Sequence, residues 1–367
     1  MKLNYNIASL VDTLGLVQGI ILGLLLIFIN RKSEKSTIFL GLFIVGYSLD
    51  LLPTILNDIN AIELYPQLIG LPVSASWLLF PLFYIYIQKV SIFSKQYTSY
   101  WVLYPGILSL IIQCIIFILP LELKLNILNS VWYQVTEFIS IIYGLWIGVL
   151  AVKWINRHIA ELQNQYTDTA FKELRWAKTY IVIGLFATLI FFLTDSFFEF
   201  KYQTLLFSIL NVVLLYWISL RGILQTNVSS VFAISTDKVT EKKQVEKDNK
   251  ISTKEDQQQL AISLESYLKK TKDFEKPDLT IVDLAEGLGV HSRKLSNTIN
   301  AVYNKNFNTY INGFRIEKVK NLLDSDISNN LSIEGIGIEA GFKSKSSFYA
   351  AFKKELSCTP LQYKRKV

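Results

Sequence analysis

The sequence predicts an all-α protein: a polytopic seven-helix transmembrane bundle, then a cytoplasmic domain of two helix-turn-helix units joined by a connecting helix. Three observations predict it. The first part of the chain carries seven apolar stretches, each close to the roughly 20 residues a helix needs to cross a bilayer. The last third changes composition and becomes rich in Lys, Asp and Glu. Within that third, a short apolar-periodic helix, a glycine turn and a second helix occur twice.

The apolar stretches fall at 9–30, 37–56, 69–88, 101–120, 131–154, 178–198 and 203–220. The first does not read as a cleavable signal peptide, because its positive charges, RKSEK, follow the apolar run. Pro53, Pro72, Pro81 and Pro105 are expected to kink helices. Base then sets the orientation. Arg31, Lys32 and Lys35 follow the first stretch, Lys89 and Lys95 the third, and Arg157, Lys172 and Arg175 the fifth, whereas NDINAIELYPQ after the second has none. Cytoplasmic loops collect Lys and Arg, so the N-terminus is expected outside a bacterial inner membrane and the C-terminal third in the cytoplasm.

Carboxylates inside apolar spans are costly unless they are paired or functional. Asp50, Glu137 and Asp195, with Asp12 near a helix end, all fall toward the outer side of the expected topology. Together with Asn211, Gln18 and Gln113 they define a candidate signal pocket for an unknown ligand or membrane protein partner. The competing expectation is hydrogen bonding between neighbouring helices.

The stretch 225–257, containing STDKVTEKKQVEKDNKISTKEDQQQ, is polar, mixed in charge and poor in apolar side chains, so it is expected to be a disordered tether spanning roughly 30 Å. The connection NRHIAELQNQYTDTAFKELRWAK between the fifth and sixth spans reads as helical and within reach of that tether.

Composition excludes other classes. Of 367 residues, 51% are hydrophobic and 18% charged. Residues 258–367 hold an excess of roughly five basic side chains, most of the net +7, which points to a polyanionic partner. Cys114 and Cys358 form no disulfide framework and no metal spacing, and His158 and His291 lack ligand-like neighbours. No HExxH, G-x-S-x-G or GxxxxGK[ST] pattern occurs. Catalytic, metal and cofactor residues are therefore expected to be none.

In the basic third, LAISLESYLKK reads as an opening amphipathic helix. In LTIVDLAEGLGVHSRKLSNTIN, Ile281, Leu284 and Ala285 form one apolar face, Leu288 and Gly289 the turn, and Leu295 and Ile299 the core side of a second helix over 292–303. FNTYINGFRIEKVKNLL is the connecting helix, in which Arg315 is expected to form an internal ion pair. LSIEGIGIEAGFKSKSSFYAAFKK repeats the unit, with Ile333, Ile336, Ile338, Ala340, Phe342, Phe348 and Phe352 as its expected core.

With Leu295 and Ile299 inward, Arg293, Ser296, Asn297 and Asn300 are expected to face outward; Arg pairs with guanine and Asn with adenine in a major groove. Lys345, Ser346 and Tyr349 occupy the matching positions of the second unit. Lys343, Ser344, Lys353, Lys354, Lys364 and Arg365 suit phosphates, which position a protein without reading sequence.

Four stretches, DLAEGLGVHSRKLS, FNTYINGFRIEKVKNLL, IEAGFKSKSSFYAAFKK and TPLQYKR, stand in an order and spacing over 260–365 that resembles the DNA-binding domain of AraC/XylS-type transcriptional regulators. With seven spans ahead of it, the chain resembles the membrane-bound branch of that family, in which a bundle replaces the soluble sensor domain. It departs from the family where glycine is usual, at Asn304 and Ser357. Asn tolerates a left-handed turn, and Ser is less comfortable there. The resemblance implies a sensor and anchor region over 1–224, the linker over 225–257 and a DNA-binding domain over 258–367. Its two readers would enter consecutive major grooves about 34 Å apart. The expected partners are double-stranded promoter DNA, membrane lipid, a second copy of the chain and an unidentified signal. The competing expectation is a transporter-like or scaffolding bundle whose cytoplasmic domain binds a protein.

Overall fold

A computed structural model describes residues 3, 5–29, 36–94, 98–170, 172–197, 203–225, 254–325 and 331–365. The chain forms two compact units. The first holds Met1–Asn156 and Leu174–Val228; the second holds Arg157–Glu173 and Ser229–Val367.

The first unit is helical throughout its described elements. It runs α1 (Ile7–Ile29), α2 (Ser36–Leu49), α3 (Leu52–Asp58), α4 (Ala61–Leu64), α5 (Ser76–Val90), α6 (Tyr104–Ile118), α7 (Leu121–Leu128), α8 (Val131–Gln165), α9 (Arg175–Phe197) and α10 (Gln203–Leu224), with the last part of α8 belonging to the second unit. Among the described residues, five helical stretches are long and apolar enough to cross a membrane: Ile7–Phe28, Ser36–Asp58, Tyr100–Ile118, Val131–Gln165 and Leu205–Leu224. The third expected span is shorter than read from sequence. Its helix, α5, starts at Ser76 and has 15 residues, because Gly70 takes φ 74° and the chain from Ile69 to Ala75 turns instead of coiling. The sixth is α9, with 23 residues. Its Asp195 lies outside the residues whose side chains are described, as do the loop bases Arg31, Lys32 and Lys35 and Lys95. The prolines also depart from expectation. Only Pro81 sits inside a helix; Pro53 and Pro105 open α3 and α6, where the missing N–H costs nothing, and Pro72 lies outside any helix.

Two features hold this unit together. Gly15, Gly19 and Gly23 recur every fourth residue along α1, so they share one face. A Cβ on Gly23 would meet the Gly41 carbonyl of α2 at 2.8 Å, and one on Gly41 would meet the Gly23 carbonyl at 2.6 Å, so the two backbones touch. Beneath them Phe43, Phe83 and Tyr180 form an aromatic cluster with centroids 5.1–5.8 Å apart. The outward faces are apolar instead of polar: Ile118 is 83% and Trp132 80% exposed, in company with Ile107, Leu108, Ile111 and Ile115. Apolar faces of this extent mark surfaces that a membrane or a protein partner covers.

The second unit contains α11 (Lys254–Thr271), α12 (Ile281–Gly287), α13 (Ser292–Tyr303), α14 (Phe307–Leu323), α15 (Ile333–Glu339), α16 (Lys345–Leu356) and α17 (Pro360–Lys364). Residues 226–253 of the expected tether lie outside the described residues, and α11 begins at Lys254, inside the stretch read as tether. The starts of these helices are written locally. Thr280 and Asp283 form a capping box on α12, Asn306 caps α14, Ser332 caps α15, Ser344 caps α16, and Thr359 with Gln362 boxes α17. Two cores result. Leu264, Leu268, Leu284, Leu295 and Ile299 fill the first, and Ile336, Phe342, Phe348 and Phe352 the second. Helix α14 serves both: Phe307, Tyr310 and Ile311 enter the first core, and Ile316, Val319 and Leu323 the second. One expected core residue is not there, since Ile338 is 64% exposed; Ile336 and Ala340 take the buried side of α15 and leave Ile338 opposite.

Candidate nucleic-acid interface

The first helix-turn-helix unit is α12, a turn at Gly289 with φ 66°, and α13. Leu295 and Ile299 are fully buried, and Arg293, Asn297 and Asn300 are exposed on the opposite side. Ser296 corrects the sequence reading: it is 6% exposed and cannot face a base. At about 100° per residue it lies only about 80° from the centre of the Leu295–Ile299 stripe, as Thr298 does on the other flank. Both are buried, so the core-facing side of α13 is wider than two residues suggest.

The second unit is α15, a turn at Gly341 with φ 97°, and α16. A Cβ on Gly341 would lie 2.6 Å from the Glu275 carbonyl oxygen, so both space and backbone demand glycine there. Lys345 and Ser346 are exposed and Tyr349 half-buried. Lys345 pairs with Glu334 at 2.8 Å, and the Tyr349 hydroxyl donates to the same carboxylate at 3.2 Å. Lys345 also lies 5.5 Å from the Tyr349 ring centre. The Lys345 ammonium holds the Glu334 carboxyl below its ordinary range.

The phosphate candidates divide in the same way. Lys343 is paired with Asp278 at 2.6 Å, and Lys354 donates to the Thr309 hydroxyl at 3.0 Å. The Ser344 hydroxyl accepts from the Ser347 amide as the cap of α16. Lys353 and Arg365 are exposed, and Lys364 is partly so.

Arg315 makes no ion pair within α14, contrary to expectation. It is 1% exposed and donates to the carbonyls of Phe274 and Lys276 at 2.7 Å each, with Thr167 at 3.4 Å. Burial pulls its pKa down to about 10, against the upward pull of Asp168 and Asp278.

In the first unit of the fold, the candidate signal-pocket residues are tied into local hydrogen bonds. Asp50 accepts from the Ala75 amide at 3.2 Å, and the Tyr47 hydroxyl donates to Asn211 at 2.6 Å. Gln113 exchanges bonds with Ser74 at 3.2 and 3.0 Å, next to Asp50's partner. Asp12 accepts from Ser208 at 2.9 Å. Asp50 and Gln113 thus bond adjacent residues, Ala75 and Ser74, and Asp195 is outside the described side chains.

Helix, glycine turn and helix thus occur at Gly289 and again at Gly341. Residues 284–366 match a family described as a helix-turn-helix domain. The melibiose operon regulatory proteins of Escherichia coli strain K12 and strain O6:H1 are each 33% identical to this chain over 87 residues, which is 24% of this chain. The chain spans 28% of the length of each of those relatives. A solved structure of a protein of unknown function from Listeria innocua is 20% identical and covers 29% of this chain and 96% of its own, with a TM-score of 0.26.

Proposed function

We propose that this protein is a one-component transcription regulator of the bacterial inner membrane. It binds promoter DNA through residues 258–367 and answers to a signal received in its transmembrane region. The observation that carries the reading is the pair of recognition helices, α13 and α16, each burying one side in its own core and presenting Arg293, Asn297 and Asn300 or Lys345 and Ser346 on the other. Those residue types suit major-groove edges, and Lys343, Lys353, Lys354, Lys364 and Arg365 suit the flanking phosphates.

The apolar exterior of the first unit supports embedding in lipid. In this reading α5 and α9 complete seven crossings, the N-terminus lies outside, and the loop bases keep the DNA-binding part inside. The neighbouring bonds of Asp50 to Ala75 and Gln113 to Ser74 support a polar pocket, with Glu137, Asp195 and Asn211 as further candidates, in which a ligand would act by preferring one state of the bundle over another. A second copy, joined through the bundle, would raise the effective concentration on DNA without new contacts. Catalysis has no part in this reading.

Salt dependence tests it. Full-length protein in lipid nanodiscs is expected to bind duplex DNA with an affinity that falls by about 0.9 log units per log unit of salt for each phosphate contacted. No binding to a randomised duplex pool at low salt, or binding indifferent to salt, would remove the proposal.

A further inference from the structure

The second unit contains a segment that the sequence places far from the rest of it. Arg157–Glu173, the end of α8 and the connection toward α9, folds with the helix-turn-helix units. Tyr166 forms an isolated antiparallel bridge with Thr280, the cap of α12. The Thr167 amide donates to the Leu279 carbonyl at 3.3 Å and its hydroxyl to the same oxygen at 2.8 Å, although the two residues are 112 apart in sequence. From the other side, Asn308 donates to the Thr167 carbonyl at 2.6 Å, and Asn306, while capping α14, donates to Gln163 at 3.0 Å.

Charge matches as well as shape. Asp168 is 7% exposed, and it interacts favourably with Arg315, Lys343 and Lys172. A buried guanidinium is strongly unfavourable without such compensation. The Thr167 hydroxyl and Asp168 add to the compensation that Arg315 draws from the Phe274 and Lys276 carbonyls and from Asp278.

We infer that the edge formed by Pro277–Thr280 and the first turns of α14 is a docking surface for an extended, hydroxyl- and carboxylate-bearing segment, and that its occupant is the chain's own α8–α9 connection at Tyr166–Asp168. The DNA-binding part is then a two-piece domain, completed by a loop of the membrane region. The inference stands on intramolecular packing and does not depend on what the recognition helices read.

The test is residue-resolved hydrogen–deuterium exchange on the full chain in lipid nanodiscs. The Thr167 amide is expected to be slow in the wild type. It should become about tenfold faster in both Asn308→Ala and Thr167→Val, while the amides of α13 keep their rates. A Thr167 amide that exchanges at the rate of an open loop in the wild type overturns the inference. So does a slow one that neither variant accelerates. If a variant loosens α13 too, the wild-type rate alone decides.

Discussion

In the first helix-turn-helix unit the acid of the opening turn, Asp283, folds back on its own cap, accepting from the Thr280 amide at 2.8 Å and hydroxyl at 2.7 Å. In the second unit the equivalent third position is Gly335, which has no side chain to fold back, and Ser332 caps alone. The acid there is Glu334, one residue earlier, and it reaches across to Lys345 and Tyr349 on the recognition helix. A change of one position thus turns a helix cap into a restraint on two side chains of α16, Lys345 and Tyr349. In the second unit part of the polar face of α16 is held in an internal pair, Lys345 with Glu334, that bound DNA would have to replace.

The sharpest break of this comparison is to remove one core and watch the other. Phe348→Ala empties the centre of the second core and is expected to cost about 3–5 kcal/mol. Exchange in α15 and α16 should rise while α13 stays protected, because α14 is the one helix that contributes to both cores. Equal loss in both units would show that they fold as one and that their differences are cosmetic.

Next in size come the readers themselves. Asn297→Ala should weaken binding to a selected site by about 1–3 kcal/mol and relax preference at one base pair. Lys345→Ala should lose less, since the wild-type lysine must first give up Glu334. Fluorescence anisotropy on matched and single-mismatch duplexes separates the two, and equal losses would mean the Glu334 pair places no restraint on the second reader.

Releasing that restraint directly is a smaller effect. Glu334→Gln should tighten DNA binding by up to about fivefold, the pair being exposed and its strength modest. The pH dependence has a definite sign. Lys345 lowers the Glu334 pKa, so the pair is intact above the ordinary carboxylate value and is lost only as pH falls through the lowered one. Acidification should therefore reproduce part of the Glu334→Gln effect in the wild type and none of it in the variant.

Much of the second unit was legible because its signals are local. The caps, the glycine turns and the apolar period of each helix lie within a few residues of one another, and both turns fell where Gly289 and Gly341 stand. Ser296 and Ile338 were misread because a residue beside an apolar stripe belongs to whichever side the neighbouring helix covers, and the sequence does not state which. The restraint by Glu334 needed side-chain reach between two helices. The bridge of Thr167 to Leu279 has no local signature at all. The packing of α1 on α2, in contrast, was available: glycines at 15, 19 and 23 are a spacing that marks close helix contact in membranes.

The smallest effects bear on how the two recognition helices stop. Helix α13 ends at Asn304 with φ 50°, and α16 ends at Ser357 with φ 56°, so both take the left-handed conformation that their family resemblance reserves for glycine. The penalty differs by chemistry. A short amide side chain bonds its own backbone and settles there, while a serine hydroxyl compensates the crowded Cβ less well. Ser357→Gly should therefore raise stability by about 0.4–1 kcal/mol, and Asn304→Gly by no more than a few tenths, because glycine also enlarges the unfolded ensemble it must leave. Urea denaturation of the two variants gives the ordering. An Asn304→Gly gain as large as that of Ser357→Gly would mean the strain is set by the backbone alone, and that the two helix ends, unlike the two helix starts, are equivalent.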